Sequence, residues 1–372
     1  MKTWNYTQPV EIIFKLGITK EIDGFLKQRS LTHGILVCDD FFAKSNLAKE
    51  IMDSTQRLSA LYSDIQPNPT VENVQNCANT IISAKAKFAL VLGGGSAIDC
   101  AKLACAIALS SQQAAKILSG EAKLEGTALP LIVLPTTAGT GSEVTPVSVV
   151  NDTVTGKKTS VVDRCLFPST AVIDPELTIS MPLDVTAATG MDALAHALEG
   201  FWSKNHQPIC DTLALEAARK VFAALPAVYK AGNDIKARTT MCEASLLAGM
   251  AFALPRTAGS HSCSYPLTTQ YGMPHGEACA FTLAAFTRIN ADAEDGRLHD
   301  FANKFGFENA FAMADRIDEM KKEMGLKCTL AQAGILKEDI PMLAQLSQNP
   351  NLANNPVEMD LDKLMEMYEG LS

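Results

Sequence analysis

Residues 91–99 read VLGGGSAID, and this stretch decides the fold. It begins as the end of an apolar run, FALVL at 88–92, passes through three glycines and enters a helical pattern over 96–109. A short apolar run bounded by glycine reads as a buried strand, and a strand that turns through glycines into a helix opens a βαβ unit. Glycine lets the backbone come close to a bound group, and the free N–H groups at a helix start attract an anion. A pyrophosphate would suit such a loop. A glycine-rich turn that binds nothing fits the same nine residues.

Working outward, GILVC (Gly34–Cys38) is another buried strand, ending at Asp39 and Asp40 and followed by a helix predicted over 41–58. Further strands are predicted over 130–134 and Thr170–Ile173. Strands alternating with helices predict a mostly parallel sheet. Residues 134–143, LPTTAGTGSE, follow a strand with two glycines and four hydroxyl residues in ten positions. Their amides and hydroxyls fit a phosphate or a ribose, or merely cap a following helix. Both loops sit at carboxyl ends of strands, where ligands bind in open α/β sheets. A carboxylate at Asp39 would accept from a ribose hydroxyl and repel a 2′-phosphate, favouring NAD over NADP. An ordinary turn acid explains Asp39 equally well, and Asp40 shares the assignment.

The pattern changes near Met181. Helical periodicity dominates from Asp184, over 186–203, 210–230, 235–254 and 276–290, with Gly232, Pro255 and Pro274 as punctuation. This places an α/β domain at 1–182 and an all-helical domain at 183–372. Residues 347–356, rich in Asn and Pro, read as a loop before a last helix.

Composition narrows the function classes. A chain of 372 residues exceeds one typical core, and 47% hydrophobic with 20% charged residues is ordinary for a globular protein. Net charge is −9 and no basic run occurs, which argues against a nucleic-acid-tracking surface but leaves room for a small anionic substrate. Ten cysteines without a CxxC pair read as thiols of a reducing cytosol. The N-terminal residues 1–17 alternate polar and apolar and do not read as a signal peptide. The longest apolar stretch, 88–109, carries Asp99, Lys102 and three glycines and does not read as a membrane span.

Three of the six histidines stand out. Asp192 and His196 in GMDALAHALEG are four apart, one turn along one helix face. His261 and His275 bracket a stretch with Pro266 and Pro274 inside it, which predicts a helix end, a turn and a new helix. Three imidazoles and one carboxylate would hold a divalent metal, Fe(II) or Zn(II), and leave a position for a substrate oxygen. Each residue alone has a plainer explanation as a satisfied core or helix-end group. Their joint occurrence with two phosphate-type loops favours ligation.

These motifs together resemble the iron-containing (group III) alcohol dehydrogenases. The resemblance spans nearly the whole chain: DIQPNPTVENV (64–74), GGGSAIDCAK (93–102), LPTTAGTGSEVTP (134–146), VIDPEL (172–177), GMDALAHALEG (190–200), YGMPHG (271–276) and the closing NNPVEMDLDKLMEMYEG. It implies a Rossmann-like parallel-sheet domain followed by a helical metal-binding domain, a dehydroquinate-synthase-like arrangement with the active site in the cleft between them. It implies metal ligands at Asp192, His196, His261 and His275. Cofactor contacts are implied at Gly94, Gly95, Ser96 and Asp99, at Thr136, Thr137, Thr140 and Ser142, and at Lys158. The implied activity is NAD-linked interconversion of a small alcohol and its aldehyde in a cytoplasmic homodimer. The related cyclases and lyases of the dehydroquinate synthase type, which consume no net NADH, and a non-catalytic nucleotide-binding protein are the alternatives.

Two departures from the family pattern matter. Where most members carry a histidine four residues after the third ligand, this chain has Tyr265, which either donates a proton or packs. Where many are glycine-rich, it reads ALPRTAG, placing Arg256 near the metal positions. An arginine there is either a clamp for a carboxylate or phosphonate tail or a salt-bridge partner. PRTAGSHSCSYPL is similar to the branch that reduces phosphonoacetaldehyde.

Overall fold

The computed structural model describes residues 3–152 and 157–371, which divide into two compact units. The first comprises Thr7–Thr137 and Gly141–Ile179; the second comprises the described parts of Met1–Tyr6 and Ser180–Ser372 together with Ala138–Thr140.

Among the described residues the first unit holds all the strands: β1 (Glu11–Phe14), β2 (Gly34–Cys38), β3 (Leu58–Tyr62), β4 (Phe88–Gly93), β5 (Leu131–Pro135), β6 (Val147–Asp152), β7 (Lys157–Val162) and β8 (Thr170–Ile173). Six form one sheet in the order β1-β8-β5-β4-β2-β3, parallel throughout. β6 and β7 pair antiparallel as a separate ribbon. β2, β4, β5 and β8 are buried along their whole length, as strands with both faces covered must be. Alternate residues feed two cores: Ile35, Val37, Ala89, Val91 and Val133 enter one, and Leu36, Cys38, Leu90, Leu92, Ile132 and Leu134 the other.

The sequence reading differs from the structure at the margins of this unit. The helix predicted over 41–58 is two helices, Asp40–Ala43 and Asn46–Ser54, separated at Ser45, and Leu58 already opens β3. β1 and β3 are half-exposed edge strands, so neither shows a continuous apolar run.

In the second unit the helix Leu183–Trp202 is buried on nearly every side from Thr186 onward, the mark of a central helix. Pro208–Lys230, Ile235–Phe252 and His275–Ile289 pack around it. Pro208 opens its helix, where its missing N–H costs nothing, and Asp234 caps the next by accepting from the amides of Lys236 and Ala237. The 261–275 stretch departs from expectation. His261 lies in the first turn of a helix, Gly259–Tyr271, which runs through Pro266 and ends at Gly272 in the left-handed conformation (φ 64°). Proline cannot donate to the carbonyl of Ser262 one turn earlier, and Asn349 Nδ2 donates to it instead, at 3.1 Å. Among the described residues no helix is long and apolar enough to cross a membrane.

Candidate active site

In the sheet unit the chain runs outward from β2 to β3, then returns to β4 on the other side of β2. That reversal leaves a crevice at the carboxyl ends of β2 and β4, the usual place for a ligand in such a sheet. Asp39 ends one strand and the GGGS loop ends the other. A Cβ on Gly93 would come within 2.6 Å of the Ala97 Cβ, and one on Gly94 within 3.1 Å of Thr137 Cγ2, so side chains would disrupt the turn into the Gly95–Ile107 helix. Asp39 Oδ1 accepts from the Phe42 amide at 3.0 Å, capping the next helix, and burial raises its carboxyl pKa. Ser96 Oγ accepts from the Asn68 amide at 3.0 Å, and Lys158 Nζ donates to Asn68 Oδ1 at 3.0 Å, so three separate segments meet at this loop.

Other residues of the loop set are braced against the fold. Asp99 accepts from Ser142 Oγ at 2.5 Å and from the Val149 amide at 2.9 Å. Lys102 Nζ, fully buried, donates to Ser142 Oγ (2.8 Å), Thr145 Oγ1 (3.1 Å) and the Val147 carbonyl (2.8 Å). Asp99 and Ser142 thus tie the helix to the second loop and shape it. Thr136 is buried and its amide donates to the Gly93 carbonyl at 3.1 Å. Thr140 falls in the other unit.

In the helical unit, Asp192 and His196 project from one face of Leu183–Trp202, His261 from the Gly259–Tyr271 helix and His275 from the first turn of His275–Ile289. His261 Nε2 lies 3.5 Å from Asp192 Oδ1, and His275 Nε2 lies 4.0 Å from it. The Nε2 atoms of His196 and His261 approach to 2.9 Å. A tetrahedral ion with bonds of about 2.1 Å sets its donors roughly 3.4 Å apart, so these spacings fit one divalent cation. Asp192 Oδ1 is buried with no hydrogen-bond partner, an expensive state unless an ion takes it up. The close approach of helices that makes the cluster rests on Gly276, where a Cβ would meet the Ala188 carbonyl oxygen at 2.2 Å.

Electrostatics agree with this reading. Burial opposes the charge on Asp192, but His196, His275 and His261 around it hold its carboxyl well below the usual range. Burial pushes His196 down to about 4, leaving a neutral ring with a lone pair to offer. His196 Nδ1 sits 3.3 Å from the Gly139 carbonyl, and the ring stacks on Phe252 at 4.0 Å. Glu199, wholly buried, contacts His261 Nδ1 closely and accepts from the amides of Ser260 (2.6 Å) and His261 (3.2 Å). That contact keeps the proton on Nδ1 and aims Nε2 at the cluster.

Arg256 follows the Ile235–Phe252 helix with φ +70°, unusual for a side chain with a Cβ, and its amide closes on the Phe252 carbonyl at 2.8 Å. Its Nη1 is buried without a hydrogen-bond partner. Tyr265 lies one turn beyond His261, and its hydroxyl accepts from Asn351 Nδ2 at 3.3 Å. Burial raises the phenol's pKa further, so it keeps its proton at neutral pH.

Family models match both parts of the chain: the iron-containing alcohol dehydrogenase model over residues 9–175 and the C-terminal model of the same family over 186–371. The chain belongs to the iron-containing alcohol dehydrogenases. It is an NAD-linked oxidoreductase of the alcohol dehydrogenase type that works with a divalent metal. It is 32% identical over 360 residues to a long-chain-alcohol dehydrogenase of Geobacillus thermodenitrificans, covering 93% of this chain and 91% of that one. It is 30% identical over 375 residues to a sulfoacetaldehyde reductase of Bilophila wadsworthia, covering 97% of each. A crystal structure of sulfoacetaldehyde reductase from Bifidobacterium kashiwanohense in complex with NAD+ superposes with a TM-score of 0.96 at 45% identity, covering 100% of this chain and 99% of that one.

Two residues at the candidate metal cluster of this dehydrogenase escape a reading of the sequence. Glu199 stands three residues after His196 and seven after Asp192, on the same helix face, so its spacing was a signal. Cys279, one turn after His275, brings its sulfur into the cluster; in an alanine-rich helix it reads as ordinary packing. The four residues whose donor atoms all lie within 4.8 Å of one another are Asp192, His261, His275 and Cys279, and His196 reaches them through its contact with His261.

Proposed function

We propose that this dehydrogenase reduces a short aldehyde with an anionic head, a sulfonate or phosphonate, using NADH, with Arg256 as the group that grips the head. The observation that carries the proposal is the buried Arg256 Nη1 without a partner. A desolvated cation with an unused donor is costly unless a ligand completes it, and a guanidinium pairs with a tetrahedral oxyanion through two parallel bonds. Likeness to two sulfoacetaldehyde reductases supports the same substrate class.

Asp192, His196, His261 and His275 would hold the ion, and the GGGS loop, Asp39 and Lys158 would receive the dinucleotide. When bound, the metal supplies Lewis-acid polarisation of the carbonyl and the nicotinamide supplies the hydride. Glu199 keeps His261 in the tautomer that offers Nε2. Tyr265, whose hydroxyl accepts from Asn351 Nδ2 and whose pKa burial raises, keeps its proton on Oη and would be the group that supplies it to the nascent alcohol. Arg256 fixes the far end of the substrate so that the carbonyl is presented in one orientation.

The test is an anaerobic NADH-oxidation assay with Fe(II)- or Zn(II)-loaded enzyme on sulfoacetaldehyde, phosphonoacetaldehyde, succinate semialdehyde, glycolaldehyde and propanal. Higher kcat/KM for the sulfonate and phosphonate is expected. Arg256→Ala should raise KM for those two about 10- to 100-fold, the worth of a charge-assisted hydrogen bond, and leave propanal unchanged. Equal losses on charged and neutral aldehydes would remove Arg256 from the substrate site.

A further inference from the structure

We infer that the sulfur of Cys279 is itself a ligand of the divalent ion, making this a mixed nitrogen, oxygen and sulfur site. The inference shares with the reading above only the position of the ion, at Asp192, His261 and His275.

Cys279 lies four residues after His275 on one helix, the same spacing by which Asp192 and His196 share a face of theirs. Its Sγ stands 3.8 Å from His275 Nε2 and 3.9 Å from His275 Nδ1. Its donor atom and those of Asp192, His261 and His275 all fall within 4.8 Å of one another, and Asp192, His261 and Cys279 are buried. A tetrahedral ion with a metal–sulfur bond of about 2.3 Å and metal–nitrogen bonds of about 2.1 Å separates sulfur from nitrogen by roughly 3.6 Å. The Cys279–His275 separation fits that figure.

The chemistry is consistent with the surroundings. Coordination forms a metal–sulfur bond and breaks the S–H bond, and the proton leaves to solvent; no electron is transferred. A soft sulfur donor favours zinc, cobalt and iron over magnesium or calcium. Cys279 also contrasts with Cys263, another buried thiol of the same unit that lies outside the four-residue cluster.

The test uses the full-length enzyme stripped of metal and reloaded with one equivalent of Co(II) or Zn(II). X-ray absorption at the zinc edge should show one sulfur neighbour at about 2.3 Å, and the cobalt form should show a sulfur-to-metal charge-transfer band in the near ultraviolet. In Cys279→Ser both signals should vanish while the metal stays bound; in Cys263→Ser both should persist. Bound metal with a nitrogen and oxygen shell alone in the unmodified enzyme would overturn the sulfur ligand and leave the His and Asp site standing. Failure to bind either metal would overturn both.

Discussion

In the sheet unit, Asp99 accepts from Ser142 and Val149, and the buried Lys102 spends its donors on Ser142, Thr145 and the Val147 carbonyl. In the helical unit, Asp192 Oδ1 and Arg256 Nη1 are buried with no hydrogen-bond partner. The contrast is general: of the ten buried side-chain atoms without a hydrogen bond among the described residues, only Asn151 Oδ1 belongs to the sheet unit. A site that receives phosphates on backbone amides can satisfy its own side chains in advance. On the proposed function a cation would complete Asp192 and an oxyanion would complete Arg256, which accounts for buried side-chain atoms held without hydrogen bonds in the absence of those ligands.

The contrast can be broken most sharply at the metal cluster. His275→Ala removes one donor and should lower kcat/KM by roughly three orders of magnitude, because Lewis-acid stabilisation is worth several kcal/mol, while NADH binding stays near its parent value. Metal analysis and NADH fluorescence titration check this. Substantial turnover in the variant would contradict the ligand assignment.

A smaller effect is expected one step out. Glu199→Gln loses the carboxylate that fixes the His261 tautomer, and metal affinity should fall about 10- to 100-fold with kcat recovering at saturating metal. A competitive metal titration reads it; unchanged affinity would make Glu199 a packing residue.

The sheet unit has a buried charge of its own that sharpens the comparison. Burial pushes the Glu143 carboxyl up to about 7, against an ordinary value of 4.5. Its folded form therefore binds a proton more tightly than the unfolded chain does. This contribution to stability is complete below pH 4.5 and is lost as pH rises through 7. Glu143→Gln should gain up to about 3 kcal/mol over the parent above pH 7 and nothing near pH 4.5, as read by denaturant melts across that range. A pH-independent difference would mean that Glu143 is compensated by partners in the fold.

Most of this architecture was legible where a residue's role is local. The strand, glycine and helix succession at 88–107 and the helix face bearing Asp192 and His196 are written in periodicity. β1 and β3 were not, because EIIF and LSALY lie at sheet edges and are only partly buried. The juncture at Ser45 lies inside one apolar periodicity and was invisible for that reason. His261 and His275 were singled out by type, but their meeting depends on helix packing that Gly276 permits and no spacing encodes. Arg256 was visible as a charge in an unusual place; that its Nη1 lacks a partner emerges only from tertiary structure.

The most direct test of the contrast is to strip the enzyme of metal with a chelator, then titrate Fe(II) or Zn(II) anaerobically while following NADH affinity and turnover together. The account predicts NADH binding with unchanged affinity throughout, no turnover without metal, and full turnover restored at one ion per chain. Turnover in the stripped enzyme, or NADH affinity that rises and falls with the metal, would contradict it.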